Sequence, residues 1–407
     1  MSKPFTITGL DLGNTKTCAL VCQPGDDGKL EVRGFGVSES KGWRRGLIVN
    51  MDSAVLSVKK AVEAAEESSG ISIDNVYAGF GGPHVSGANS SSGLPLGKSA
   101  KSTREVKTED VRKVFQIAQG VSLPPDRKIV YAERQEYLLD SQNGIRNPVG
   151  MLGAKLEVNV HLVLASAAAH ENVVTAVNRA GIVVNDTVFE ALAAAESCLT
   201  PDERELGVAL VDVGGGSSHL VCYREGSIRH SAALRLGGEH FTNDLAVGLL
   251  TPIPEAEKIK MEWGRRDPSE PGAQAVEVSS VGDRPARMID YSKLNEIIEP
   301  RALELLELVQ MELGRSGLER QLGAGVVFAG GGSKLGGLMA LAERILDLPA
   351  RLGQPGGVEK MGENLLDPAY ATIVGIAIHG YRLRQMQSSR ETSLVGKLLG
   401  LFGGKGD

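Results

Sequence analysis

Cysteine is scarce in this chain, four residues in 407, and Cys18, Cys22, Cys198 and Cys222 show no CxxC spacing. That argues against a thiolate metal site, and the four read as reduced core residues of a cytosolic protein. An excess of positive charge is missing too. With 44 Lys and Arg against 50 Asp and Glu the formal charge is −6, so nothing global points to nucleic acid and any anion recognition rests on local clusters. No stretch approaches the ~20 apolar residues of a membrane span. The chain runs into strand-like sequence by Phe5, which leaves no signal peptide. What remains is a chain long enough to bury substantial cores in two to four domains or subdomains.

The most informative stretch runs from Val208 to Gly226, VALVDVGGGSSHLVCYREG. An apolar, β-branched run ends on Asp212, passes through Gly214, Gly215 and Gly216, and resumes as a second apolar run, the pattern of strand, glycine turn and strand. Successive glycines let main-chain N–H groups crowd onto an anion, while an adjacent carboxylate can hold a hydrated cation. Magnesium-bound phosphate is the natural ligand, although standing alone this turn reads as a plain hairpin. The same design recurs at Ile7 to Cys22, with Asp11 followed by Gly13, Asn14 and Thr15. Two copies in one chain imply a duplicated fold with two phosphate hairpins facing one cleft. A third glycine cluster, Gly330-Gly331-Gly332-Ser333-Lys334, follows the apolar run Val326 to Ala329.

In this order the three stretches resemble the actin-like ATPase superfamily, an α/β fold of two lobes built from a duplicated ribonuclease H-like unit. Within it, Asn147-Pro148-Val149-Gly150, the run LTPDERELGV from Leu199 to Val208, Gly226 to His230, and Ile298-Glu299-Pro300-Arg301 resemble FtsA, the bacterial division family that tethers FtsZ filaments to the membrane. The resemblance covers nearly the whole chain. It implies a first-lobe core in 1–82 and 163–203, an inserted subdomain in 83–162 for polymer and partner contacts, and a second-lobe core in 204–240 and 312–383. An accessory subdomain in 241–311, a linker in 384–392 and an amphipathic helix in 393–405 complete the layout.

The resemblance also implies ATP and Mg2+ as cofactors. Asp11 and Asp212 would hold the metal through water, and Gly13, Asn14, Thr15, Lys16, Gly214, Gly215, Gly216 and Ser217 the phosphates. Gly237 and Gly238 would lie near the phosphates, Glu257 and Lys260 near ribose and adenine, and Gly330, Gly331, Gly332 and Lys334 at the adenine end. Glu190 matches the position from which relatives orient the attacking water; an ordinary acid at a helix N-terminus is the competing reading. Asn14 stands where relatives often have Thr or Ser, and hydrolysis is expected to be slow at most. Arg287 and Arg301 fall where family arginines grip the acidic, apolar C-terminal tail of FtsZ, a task suited to a guanidinium fork; solvated charges are the alternative.

Local patterns fill in the rest. We expect a helix after a cap at Asp52, a flexible polar stretch from Gly87 to Lys101, a helix capped by Thr108 through Ala118, and a strand from Lys128 to Leu138. The superfamily core resumes as a strand at Val158 to Val163, followed by a helix from Ala167 to Arg179 and an alanine-rich helix from Phe189 to Glu196. Pro254 opens a helix to Trp263, and Asp267 to Gly272 is a Pro-rich loop. Arg284 adds to the basic cluster ahead of an amphipathic helix from Pro300 to Leu313. A helix from Leu335 to Leu346 follows the third glycine turn, and a final apolar helix covers Ala369 to Tyr381.

Beyond the polar segment from Arg384 to Thr392, Leu394, Leu398, Leu401 and Phe402 share one helical stripe, widened by Val395 and Leu399, with Ser393 as cap. Such a helix can lie in the interface of an anionic membrane with Lys397 and Lys405 toward the headgroups, at the cytoplasmic face of the cell membrane. Docking on its own domain is the alternative for an isolated sequence. The reading overall is an ATP-dependent filament-former that contacts FtsZ, itself, other division proteins and an anionic membrane, but not nucleic acid. A type IV pilus assembly protein of the same superfamily and a sugar-kinase-like phosphotransferase are the competing readings.

Overall fold

The computed structural model describes residues 5–97, 102–262, 264, 275–282 and 285–402, with side chains through Gln387. The first lobe opens with β1 (Ile7–Leu12), β2 (Lys16–Pro24) and β3 (Leu30–Glu39), a small hairpin of β4 (Trp43–Arg44) and β5 (Leu47–Ile48), then α1 (Met51–Ser69) and β6 (Asn75–Phe80). An insertion follows: β7 (Ser86–Pro95), β8 (Arg104–Glu105), α2 (Thr108–Gln119), β9 (Arg127–Leu139), β10 (Gln142–Ile145), β11 (Leu152–Gly153) and β12 (Lys155–Ser166). The first lobe closes with α3 (Ala167–Arg179), β13 (Val183–Phe189) and α4 (Glu190–Cys198). The second lobe takes α5 (Pro201–Leu206), β14 (Val208–Val213), β15 (Ser218–Arg224), β16 (Ser227–Leu234), α6 (Gly238–Gly248) and α7 (Ile253–Glu262). It continues with β17 (Ala275–Val278), β18 (Arg287–Asp290), α8 (Tyr291–Ser316), β19 (Val326–Ala329), α9 (Leu338–Leu346), β20 (Ala350–Leu352) and α10 (Ala371–Phe402).

The duplication is visible in strand order. One sheet runs β13-β6-β1-β2-β3, and the other contains β20-β19-β14-β15-β16 in the equivalent places. In each, three antiparallel strands precede two parallel ones. Asp11 pairs with Cys18 in one hairpin and Asp212 with His219 in the other. Parallel strands buried on both faces demand near-continuous apolar sequence, and β1 and β14 are buried along their whole length. Separate cores form under the second lobe and under the insertion, whereas the core of the first lobe reaches across into Leu210 and Val221. Helices α4 and α10 cross at that joint. A Cβ on Gly375 would come 1.6 Å from the Ala193 carbonyl oxygen, so only a glycine lets the two backbones approach this closely.

Several local expectations are corrected. Asn50, not Asp52, caps α1, its Oδ1 accepting the Ser53 N–H at 3.0 Å. Thr108 is the first residue of α2, whose entry is fixed by Asp110 accepting the Lys107 N–H at 2.9 Å. The Ser/Gly-rich stretch expected to be flexible forms β7 through Pro95, because β12 offers an unbroken ladder from Lys155 to Leu164; residues 98–101 lie outside the described residues. Helix α8 begins at Tyr291 and carries Pro300 inside it, since Asp290 supplies the cap by accepting the Ser292 N–H at 2.9 Å. Helix α9 starts only at Leu338: the third glycine turn makes a short 3-10 turn, Gly331–Lys334, and Gly337 adopts φ 72° before the helix begins. Helix α10 runs through 384–392 to Phe402 as helical backbone, and Ser393 lies within it rather than at a start. Trp263, the loop 267–272, Arg284 and residues 403–405 lie outside the described residues, as do the side chains of Leu394, Val395, Leu398, Leu399, Leu401 and Phe402. Among the described residues no helix is long and apolar enough to cross a membrane.

Candidate functional site

The two hairpins bring their turns together between the lobes. A cavity of about 520 Å3 is lined by Asp11, Gly13, Asn14, Thr15, Lys16, Glu190, Asp212, Gly214, Gly215, Gly216, Ser217, Gly238, Glu257, Lys260, Gly330, Gly331, Gly332 and Lys334. Of the residues expected at the nucleotide, Gly237 alone lies outside this lining. It packs behind the second turn, where a Cβ would come 2.5 Å from the Gly215 oxygen and 2.7 Å from that of Gly214.

Main-chain geometry aims the second turn. The Gly214 and Gly215 carbonyls accept the N–H groups of Gly238 and Glu239 at 2.8 and 2.9 Å. Because N–H and C=O of one planar, trans peptide point in opposite directions, the amides of Gly215 and Gly216 are turned away from α6. The third turn is pressed against this one: a Cβ on Gly330, which has φ 80°, would come 2.4 Å from Asp212 Oδ1. Such a cradle of bare amides suits an anion and leaves no room for side chains.

The carboxylates face one another. Asp11 and Asp212 are buried at the ends of β1 and β14, and Glu190 opens α4 beside them. Burial pushes Asp11 up to about 7; Lys16 works against this and Asp212 adds to it. Burial raises Asp212 as well, opposed by a hydrogen bond from Thr372 Oγ1 at 2.9 Å and by Lys16. Glu190 is held well above the usual carboxylate range by burial and then by Asp11 and Asp212. Three mutually repelling acids with Lys16 as counter-charge form a donor set that a hydrated divalent cation would satisfy.

His219 is the residue that sequence reasoning passed over. Its Nε2 accepts the Gly82 N–H at 2.8 Å, which places the proton on Nδ1, 3.3 Å from Glu190 Oε2. Burial lowers its pKa to about 4, so the ring is neutral. Ligand atoms of Glu190, Asp212 and His219 all lie within 4.8 Å of one another. The hairpin register, which pairs His219 with Asp212, was the signal available in the sequence. Thr372 and Asp367, far along the chain, carried none.

Also lining the cavity, Lys260 pairs with Glu257 at 2.7 Å, and its Nζ donates to Thr242 at 2.9 Å and to the Gly238 oxygen at 3.1 Å. Lys334 pairs with Asp367. The two arginines expected at a partner site do not line this cavity; Arg287 opens β18 and Arg301 lies on α8. Arg301 forks onto Asp244 at 2.6 and 3.1 Å and also meets Glu304, while Arg287 donates to the Leu249 carbonyl.

A family profile described as "Cell division protein FtsA" matches residues 209–375, and one described as "SHS2 domain inserted in FTSA" matches residues 82–164. The cell division protein FtsA of Pseudomonas aeruginosa is 41% identical over 375 residues, 92% of this chain and 89% of that protein. That of Escherichia coli K12 is 36% identical over 382 residues, 92% of this chain and 90% of the relative. The chain belongs to the FtsA family. It is thereby a cell division protein with an actin-like fold, and its insertion, β7 to β12, is the SHS2 domain of that family. Among solved structures, a PilM–PilN type IV pilus biogenesis complex aligns with a TM-score of 0.64 at 16% identity, covering 92% of this chain and 98% of that one. MreB5 of Spiroplasma citri bound to ADP aligns with a TM-score of 0.55 at 13% identity, covering 94% and 98%. These likenesses speak for the two-lobed actin-like fold of this FtsA-family chain.

Proposed function

We propose that the chain binds ATP with Mg2+ between its lobes, polymerises, and couples FtsZ filaments to the cytoplasmic face of the bacterial cell membrane at the division site. The observation that carries the nucleotide part is the meeting of three glycine turns, two buried aspartates and the partly buried Glu190 on one cavity. Bound Mg2+–ATP supplies the positive charge those carboxylates lack and the phosphates their neighbouring amides can cradle. Asp11 and Asp212 would hold the metal through water, the first two turns the phosphates, and Glu257, Lys260 and Lys334 the nucleoside end. MreB5 bound to ADP and to AMPPNP shares the fold, which supports nucleotide as the ligand class. Burial, then Asp11 and Asp212, raise the pKa of Glu190 and so favour its protonated form, which opposes its use as a base and fits slow turnover.

For the partner, Arg287 bonds the Leu249 carbonyl, and Val247, Leu250, Ile253, Val281 and Met288 expose apolar side chains on the elements nearby in the chain or joined to them, which suits an acidic, apolar peptide such as the FtsZ tail. The inserted subdomain would serve polymer contacts and other division proteins. The apolar stripe from Leu394 to Phe402 supports the membrane part; its weak single-copy binding is multiplied when a filament presents many copies. Liposome co-sedimentation with ATP and Mg2+ tests the tether, comparing the full chain with one ending at Gln387. The full chain should pellet with anionic vesicles and the shortened one remain soluble. If neither pellets at physiological salt, the tether reading is wrong for this protein.

A further inference from the structure

The two phosphate turns are fastened to each other across the cleft. Asn14, in the turn between β1 and β2, donates its Nδ2 to Oε1 of Glu239, near the start of α6 in the other lobe. Its Oδ1 accepts the Gly46 N–H at 2.9 Å, so both ends of the amide are used. The contact is built into the backbone. Glu239 is fixed by its own N–H, bonded to the Gly215 oxygen at 2.9 Å, and the turns abut closely enough that a Cβ on Gly215 would come 2.7 Å from the Thr15 methyl. Both Asn14 and Glu239 are half-buried.

The chemistry of this clasp opposes the ligand the cavity suits. Asn14 Nδ2 is a donor that a phosphate oxygen would use, and here a carboxylate holds it. That carboxylate also has the same sign as a polyphosphate chain entering the cradle. We propose that Glu239 is an internal competitor of phosphate: the Asn14–Glu239 clasp holds the lobes together in the nucleotide-free protein and must release before a polyphosphate can enter. Glu239 then sets the rate of nucleotide entry and ties occupancy to the angle between the lobes. The competitor role rests on the nucleotide reading, whereas the clasp is a property of the protein alone.

Two measurements on the full chain separate these parts. In the nucleotide-free protein, hydrogen exchange at the Gly46 amide reports on Asn14. Glu239→Ala, which leaves Asn14 without its partner, should reduce protection there by about tenfold relative to the parent chain. Stopped-flow association of a fluorescent ATP analogue with Mg2+ should be faster by about tenfold in both Glu239→Ala and Glu239→Gln, because both remove the charge. Glu239→Gln is nearly isosteric and guards against a folding defect. Unchanged protection at Gly46 would remove the clasp. Slower association or weaker affinity in the variants would make Glu239 part of the nucleotide-holding set and overturn the competitor role. Should neither the parent nor the variants bind the analogue at millimolar concentration, the nucleotide reading fails and takes the competitor role with it, while the exchange data still decide the clasp.

Discussion

Glycines around the second glycine turn are not interchangeable, and two neighbours separate steric need from composition. Gly237 has an extended backbone that any residue adopts, yet an added Cβ would meet the Gly215 and Gly214 oxygens and the Ser217 nitrogen at 2.5, 2.7 and 2.8 Å. All three are main-chain atoms of the turn itself, so relief requires moving the cradle. One residue on, a Cβ on Gly238 would meet nothing nearer than Lys260 Nζ at 3.5 Å, the far end of a flexible side chain. Gly237→Ala should therefore lower unfolding stability by about 1–3 kcal/mol in urea titration and weaken ATP binding with it. Gly238→Ala, at the first position of a helix, should leave stability level or slightly raised. Equal losses in the two variants would mean that the close packing seen behind the turn is not what holds its shape.

Elements were legible where one local rule decided them and illegible where a distant partner did. Helix α8 makes the point and carries a prediction. Pro300 suggests a helix start, but it stands inside a 26-residue helix at an exposed position, where its cost is a missing N–H bond rather than a clash with the core. Pro300→Ala should raise stability by about 1–3 kcal/mol by restoring that bond, measured by denaturant titration. If the proline also sets the direction in which neighbouring Arg301 forks onto Asp244, the same variant should bind an FtsZ tail peptide more weakly; unchanged peptide affinity would mean that Pro300 does not position Arg301 for it. The two hairpins were readable because apolar runs, glycines and a single acid define a strand-turn-strand without outside help, and Asp11 and Asp212 fall at the expected strand ends. Strand β7 was not, since its Ser/Gly sequence has no strand propensity and is ordered by the ladder β12 provides. Likewise Asn50 outcompetes Asp52 as a cap by side-chain geometry that composition cannot rank. Thr372 belongs to the site through its hydrogen bond to Asp212, 160 residues away in the chain, whereas His219 could have been placed there by the hairpin register that pairs it with Asp212.

At the scale of the whole molecule, the insertion is tied to the second lobe by a junction with little backbone pairing. The nine-stranded sheet passes from β7 to β16 through the pair Ser86–Ala232, and side chains supply the rest. His161 on β12 is central to them: fully buried, it hydrogen-bonds Asn89 on β7 at 2.7 Å and Ser231 on β16 at 2.8 Å. Asn89 Oδ1 can only accept, so the proton sits on Nδ1 and Nε2 accepts from the serine hydroxyl. Burial, reinforced by His230, lowers the pKa of His161 to about 4, against 6.5 for a free histidine. Between these values the unfolded chain binds a proton that the folded one refuses, so stability rises with pH through that window. The contribution is whole above 6.5 and lost as pH falls toward 4, on the order of 3 kcal/mol in all. Comparing the parent chain with His161→Gln by calorimetry isolates it from the other buried histidines, whose titration both proteins share. The parent should be the more stable at pH 8, and its advantage should shrink steadily as pH falls to 4. A difference that stays constant across that range would mean that His161 holds the junction by packing alone, and that the angle of the insertion against the second lobe is insensitive to protonation there.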